Sequence, residues 1–234
     1  MKAGIYMVGT PIGHLDDISR RAVETLGAVD YILAEDTRHT RGLLNRYTIQ
    51  KPLVSCHQFN EASRVHQVVR HVQGGGSVAL VSNAGMPAVS DPGSRVVAAC
   101  RKEGLYVTVI PGPSSVTAAM ALCGYVSGGF LFEGFLPRKP GARRRRLAEV
   151  LALGLPVVMF ESPYRILAVL GELETLAAAR ELFVARELTK MNEECLWGTP
   201  SELLHRYEDR ALKNPGRKIK GECVLVLSPD LERR

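Results

Sequence analysis

Three short segments of this chain carry residue types suited to holding a ligand. They are Gly9-Thr10-Pro11-Ile12-Gly13, Asn83-Ala84-Gly85-Met86-Pro87 and Pro111-Gly112-Pro113-Ser114-Ser115. Each follows an apolar run, Ile5–Val8, Val78–Val81 or Val107–Ile110, that reads as a β-strand. Glycine lets a ligand approach the backbone closely, and proline fixes the turn so that little freedom is lost on binding. One such turn alone is ordinary chain punctuation. Three at the carboxyl ends of parallel strands, where open sheets collect ligands, predict a shared pocket.

Neither common nucleotide fingerprint is present, since the chain has no G-x-x-x-x-G-K-[ST] and no G-x-G-x-x-G. Gly74-Gly75-Gly76 comes after a helical pattern and before a strand, the wrong order for a phosphate cradle. Glu35 ends the second strand, where a dinucleotide ribose finds its acidic partner, but Pro11 and His14-Leu15-Asp16-Asp17 keep the first helix from starting at the glycines. Asp91-Pro92 reads as the cap and first residue of the helix after the second turn. No H-E-x-x-H or other close set of metal ligands occurs, and no metal is expected.

A basic run offers a second kind of chemistry. Arg138, Lys139, Arg143, Arg144, Arg145 and Arg146 put six positive charges in nine residues, within a net charge of +6. They would neutralise phosphates with salt-dependent, mostly sequence-blind affinity. Pro140-Gly141 reads as a mobile loop ahead of a helix at 143–152, a hinged clamp for RNA anchored by the preceding GFLP. Lys213–Lys220 is a further basic segment. With aromatic residues at 6%, base stacking is not expected to be the main mode of binding.

The elements that must position these residues alternate. Strands are predicted at Ile5–Val8, Tyr31–Ala34, Leu53–Ser55, Val78–Val81 and Val107–Ile110, with helices at 19–29, 37–47, 61–73 and 92–103 between them. That order implies a largely parallel sheet covered on both faces. After a helix at 114–123 the texture changes, with strands at 130–133, 156–160, 181–186, 194–198 and 222–227 and helices at 143–152, 163–177 and 200–207. The last strands lie too close together for crossover helices, so a mixed sheet is expected. A boundary follows near 113–128, giving domains 1–113 and 114–234.

Composition sets the remaining bounds. The chain has 234 residues, 46% hydrophobic and 23% charged, as in folded globular domains. Its five cysteines are scattered and never form a C-x-x-C pair, which fits a reducing cytoplasm. No apolar run reaches the length of a membrane span, and MKAGIYMVGTPIG meets glycine and proline too early for a signal peptide.

The motifs VGTPIGHLDDISRRAVETL, AEDTRHT, HQFNE, SNAGMPAVSDPG, PGPSS, EGFLP, FESPYR, ARELTK and KGE follow one another over nearly the whole chain. Together they resemble the ribosomal RNA small subunit methyltransferase I family of the tetrapyrrole methylase-like superfamily. The resemblance implies two α/β domains with a cleft that takes S-adenosylmethionine, and a homodimer. It implies methylation of a cytidine ribose 2′-hydroxyl in the decoding region of 16S rRNA, with the small ribosomal subunit as partner. Donor contacts then fall on Pro11, Gly85, Met86, Val89, Ser114 and Ser115, with Phe160, Leu188 and Gly221 from the second domain. The family's polar motifs place the reaction among Glu35, Asp36, Arg38 and His39, among His57, Asn60 and Glu61, and at Glu187 with Lys190. For direct chemistry the order is Asp36, Glu61, Lys190 and Arg38, although helix capping also accounts for Asp36, and stabilisation by the helix dipole for Glu61. The sequence departs from the family at Asn83, Met86, His14 and Tyr164, where aspartate, threonine, asparagine and histidine are usual, and it ends without the helical tail of many relatives. Three readings remain: this RNA methyltransferase, a methyltransferase of the same fold acting on a tetrapyrrole or protein, and a non-catalytic RNA-binding relative.

Overall fold

A computed structural model of the chain describes residues 1–213 and 219–229. Residues 214–218 of the basic segment Lys213–Lys220 therefore lie outside the described residues. The chain forms two compact units, Met1–Ser114 and Ser115–Arg234.

In the first unit, β1 (Gly4–Val8), β2 (Tyr31–Ala34), β3 (Leu53–Ser55), β4 (Ser77–Val81) and β5 (Val107–Ile110) form one sheet in the order β3-β2-β4-β1-β5. Every pairing in it is parallel. Strand side chains alternate between faces, and each face has its own helices. Tyr6, Val8, Ile32, Ala34, Ala79 and Val81 pack against α1 (Arg20–Ala28) and α2 (Thr37–Arg46) through Ala22, Leu26, Leu43 and Leu44. Ile5, Met7, Leu33, Val78 and Leu80 pack against α3 (Glu61–Gln73) and α4 (Ser94–Lys102) through Val68, Val72, Val96 and Cys100. The near-continuous apolar strands of the sequence are thus explained by burial on both sides.

The start of α4 differs from expectation. Asp91 and Pro92 precede the helix, and the N-cap position falls to Gly93 at φ +134°. Residues 88–92 are spent on a tight turn instead, in which the Ala88 N–H donates to the Pro92 carbonyl and Ala88 and Ser90 take positive φ.

In the second unit, β6 (Leu131–Phe135), β7 (Val157–Glu161), β8 (Leu182–Arg186), β9 (Glu194–Gly198) and β10 (Cys223–Leu227) form a sheet ordered β6-β7-β10-β8-β9. The β6–β7 pair is parallel and the others antiparallel, so this sheet is mixed, as expected. Its core joins Met159, Val184 and Leu225 to Leu147 and Val150 of α6 (Pro140–Leu151), Ile166, Val169, Leu170 and Leu173 of α7 (Ile166–Leu176), and Leu203 and Tyr207 of α8 (Pro200–Lys213). The helix α5 (Ser115–Cys123) packs on β10.

Helix α6 corrects the expectation of a mobile loop at Pro140-Gly141. Pro140 is its first residue, where a missing N–H costs nothing, and the Arg143 N–H already donates to the Lys139 carbonyl. The arginine run is consequently helical, and residues 100° apart cannot all face water. Arg143 turns inward with Leu147 and Val150, and its Nε and Nη2 donate to Glu172 at 2.8 and 2.9 Å. The side chains of this pair are only 7% and 13% exposed, so Arg143 serves the fold and not a phosphate. Arg146 is half-committed, gripping Glu133 through two 2.7 Å bonds and Glu149 through one of 3.0 Å. Removing one member of a buried ion pair leaves the other charge uncompensated. Arg143→Ala should therefore cost about 3–5 kcal/mol in urea unfolding, against about 0.5 kcal/mol or less for the exposed Arg144→Ala.

Candidate functional site

The three glycine–proline turns leave the carboxyl ends of β4, β1 and β5, which are adjacent strands. They are tied directly to one another. Thr10 and Gly85 exchange two backbone hydrogen bonds of 2.9 and 3.1 Å, and the Thr10 hydroxyl lies 3.3 Å from the Ser82 carbonyl it donates to. A β-carbon on Gly9 would lie 2.7 Å from the Gly112 Cα and 2.7 Å from the Met86 sulfur, and one on Gly112 would meet Gly9 at 2.8 Å. These two glycines are thus required by the packing of turn on turn. Gly85 is required by its backbone, at φ +77°. Pro11 is buried, Gly85 is buried, Met86 and Ser114 are half-buried, and Val89 is 45% exposed at the rim. Ser115 opens α5 in the second unit.

The loops after β2 and β3 continue the same edge. Asp36 is the N-cap of α2, its Oδ1 accepting from the N–H groups of Arg38 at 2.8 Å and His39 at 3.4 Å. Those bonds hold the exposed carboxyl below its ordinary range. Its own N–H donates to the Asn83 Oδ1 at 3.2 Å, and the Asn83 N–H donates to Glu35 Oε2 at 3.5 Å. The amide oxygen of Asn83 thus does what an aspartate oxygen could do there. Arg38 and His39 stand exposed.

Glu61 is given a task that its position beside α3 did not reveal. It is 7% exposed, and its Oε1 accepts from the N–H groups of Gly93 at 3.0 Å and Arg95 at 2.8 Å. It caps α4, the helix that Asp91 was expected to cap, and so joins the HQFNE turn to the end of the SDPG turn. Of the unit-one candidates for chemistry, Asp36 and Arg38 remain accessible and Glu61 does not. Phe59 was passed over in the sequence and stands 86% exposed. Its signal was an aromatic residue among polar ones in a short loop.

In the second unit, Phe160, Leu188 and Gly221 meet at one edge, where β7 and β8 end and β10 begins. Phe160 lies edge-on to Phe132 at 5.0 Å and tilted against Phe135 at 5.5 Å, and Leu188 is buried. Gly221 takes φ +107°, and a β-carbon there would strike the Glu187 side chain at 2.4 Å. Glu187 and Thr189 are themselves at positive φ, the kind of backbone strain that surrounding structure must hold in place. The hold comes from Lys190, whose ammonium donates to Glu187 at 2.9 Å and Glu222 at 2.8 Å. Burial lowers the Lys190 pKa, but the two carboxylates outweigh it and the net shift is upward. Lys190 is thus held in place as a cation by two carboxylates.

FESPYR contributes a strut. Glu161 is 1% exposed at its side chain, and burial raises its pKa. Its Oε1 accepts from the Ser162 N–H at 2.7 Å, while Oε2 lies 3.2 Å from Arg165 Nη2. The same Nη2 donates to the carbonyls of Leu136 at 2.9 Å and Pro137 at 3.1 Å. It fixes the backbone leading into the basic run, where Arg138, Lys139, Arg144 and Arg145 are exposed. Tyr164 is 69% exposed, and His14 caps a short 3-10 turn at Leu15–Asp17. Among the described residues no cluster of three or more His, Cys, Asp or Glu could hold a metal, and no helix is long and apolar enough to cross a membrane.

The sequence pattern of the tetrapyrrole (corrin/porphyrin) methylases matches residues 4–204. A uroporphyrin-III C-methyltransferase from Thermus thermophilus, solved with S-adenyl homocysteine, shares the fold at a TM-score of 0.63 and 17% identity, over 99% of this chain and 100% of that one. The ribosomal RNA small subunit methyltransferase I of Thermotoga maritima is 45% identical over 96% of this chain and 97% of its own. That of Neisseria meningitidis serogroup A is 43% identical over 96% and 76%. The chain belongs to the tetrapyrrole methylase family and, within it, to the ribosomal RNA small subunit methyltransferase I group.

Two outcomes follow from the local geometry. Glu61→Ala leaves one buried and one half-buried N–H group without its acceptor and should cost about 1–3 kcal/mol in urea unfolding, with Glu61→Gln milder because its amide oxygen still accepts. The second concerns Glu187: burial raises its pKa, but the bonds from Lys190 and the Glu222 N–H bring it below the usual range. It therefore stabilises the fold above the ordinary Glu pKa, and that contribution disappears as pH falls through the lower folded value. An NMR titration of its side-chain carboxyl should show a midpoint below about 4.3 in the wild type, moving up in Lys190→Met.

Proposed function

We propose that this chain transfers a methyl group from S-adenosylmethionine to the 2′-hydroxyl of a cytidine ribose in the decoding region of 16S rRNA, with the small ribosomal subunit as partner, as a cytoplasmic homodimer. The observation that carries the proposal is the 45% identity, over nearly both full chains, to a protein named for methylation of small-subunit ribosomal RNA. The tied turns support it. Their chemistry fits a nucleoside sulfonium: Pro11, Met86 and Val89 supply apolar surface, Gly85 keeps the backbone bare, and the Ser114 hydroxyl adds a polar group. Ser115, Phe160, Leu188 and Gly221 are assigned to the donor on their correspondence to the family.

Bound S-adenosylmethionine supplies an electrophilic methyl on a sulfonium. Alignment is the protein's main work, because displacement at carbon needs the attacking oxygen in line with the leaving sulfur. Asp36 is assigned as the group that takes the hydroxyl proton. Its carboxylate is ionised at neutral pH, its backbone is tied to the Asn83 turn, and its Oδ1 alone is used in capping. A weak base suffices when the proton leaves as the new carbon–oxygen bond forms, since the oxygen is then far more acidic than a free hydroxyl. Arg38 is assigned to the phosphate or to developing charge on the ribose oxygen. The exposed cations Arg138, Lys139, Arg144 and Arg145 are assigned to RNA phosphates, which favours RNA over a tetrapyrrole or a protein as acceptor.

The test is methyl transfer from radiolabelled donor to small subunits lacking the modification, with naked RNA in parallel. Label is expected at one cytidine ribose; donor binding with no label in either substrate would refute the RNA assignment. Asp36→Asn preserves a good helix cap, so its stability should be unchanged while kcat falls roughly 10²- to 10⁴-fold. An Asp36→Asn enzyme of full kcat would move the proton to another group.

A further inference from the structure

The turn His57-Gln58-Phe59-Asn60-Glu61 is built to hold one aromatic ring out in water. The Asn60 side chain accepts from the His57 N–H at 2.7 Å and donates to the Ser55 carbonyl at 3.2 Å. The N–H groups of Asn60 and Glu61 both donate to the His57 carbonyl at 2.9 Å, and the Phe59 N–H donates to His57 Nδ1 at 3.3 Å. Arg64 Nε donates to the Ser55 carbonyl at 2.9 Å, and Glu61 is locked onto α4. Asn60, Glu61 and the His57 backbone are thus consumed in fixing the loop, while Phe59 is 86% exposed, with the His57 ring in a T-shaped arrangement at 6.0 Å. An exposed phenyl gains nothing for folding, whereas a rigid one loses little entropy on binding a flat partner.

Its surroundings indicate which partner. The loop leaves β3 beside the one leaving β2, with Ala34 opposite Ser55 and the Cys56 N–H donating to the Ala34 carbonyl at 2.8 Å. The neighbouring loop presents the exposed Arg38 and His39, and Arg64 adds a cation at the base of the turn. An exposed aromatic ring on a loop next to one that carries a cation matches the two parts of an unpaired nucleotide, the base and its phosphate. We propose that Phe59 is a stacking platform for one unpaired base of the RNA, at the same sheet edge as the donor turns. This rests on the RNA reading above and adds the position of a base to it.

Steady-state methyl transfer to unmodified small subunits tests it, with the wild type measured first. A wild type that binds donor and labels no RNA overturns the function itself, and this inference with it. Given an active wild type, Phe59→Ala should lower kcat/KM for the particle roughly 5- to 150-fold, the range measured for loss of one base–aromatic stack. Phe59→Leu should fall likewise, Phe59→Trp should keep near-wild-type kcat/KM, and the donor Kd should be the same in all. Unchanged kcat/KM in Phe59→Ala, or full activity in Phe59→Leu, would overturn the platform and leave the function standing. So would a lower oligomeric mass of Phe59→Ala by light scattering, which would make the ring a contact between copies of the chain.

Discussion

The functional edge of the first unit depends on the double hydrogen bond between Thr10 and Gly85, with Gly9 and Gly112 pressed together beside it. Adjacent strands in a sheet are rotated against one another, so loops leaving them diverge unless something draws them together. Here the tie is peptide to peptide. Such a contact is indifferent to side-chain chemistry and intolerant of side-chain volume, which is why two of the three turns offer glycine to each other before they offer it to a ligand. Met86 completes the contact by laying its sulfur over Gly9. Methionine suits such a contact because its long, unbranched side chain adapts to irregular gaps.

A second set of contacts extends that rigidity outward through carboxylates and amides. Asn83 links the β4 turn to Asp36 and Glu35, and Glu61 links the β3 turn to the start of α4. Both links run side chain to backbone, so they fix loop positions and not only charges. The consequence for chemistry is selective. Glu61 is buried and satisfied, whereas Asp36 spends one oxygen on capping and remains at the surface. Capping and chemistry are therefore compatible in Asp36 and exclusive in Glu61, although both residues stand at helix starts.

Sequence pattern located the strands closely, because a strand buried on both faces must be apolar throughout and is bounded by turn residues, as at Tyr31–Ala34 and Ser77–Val81. It also placed the three turns on one edge. What it could not supply was the partner of each polar group. Asp91-Pro92 has the composition of a cap, yet the N–H groups of Gly93 and Arg95 at the start of α4 find Glu61, which lies about thirty residues earlier in the chain. Pro140-Gly141 has the composition of a hinge, yet proline at a first helical position starts a helix as readily as it ends one. Phe59 was hidden for the opposite reason, since only a structure shows that Asn60 and Glu61 are used in fixing the loop while the phenyl ring stands exposed.

The basic run illustrates how a fold sorts residues that a sequence presents as equivalent. Four arginines in succession on a helix sweep through most of a full turn, so at least one must face the core side. Arg143 does, and its burial is possible only because Glu172 on α7 meets it with two hydrogen bonds. Arg146 meets Glu133 on β6 and so pins the helix to the sheet beneath it. Arg144 and Arg145 are left outward, joined by Arg138 and Lys139 on a segment that Arg165 holds by its carbonyls. Two arginines thus build the platform and four cations are displayed on it. The backbone spacing of the displayed charges is fixed by the platform, so under the proposed function phosphate contacts made there would set the register of an RNA as well as its affinity.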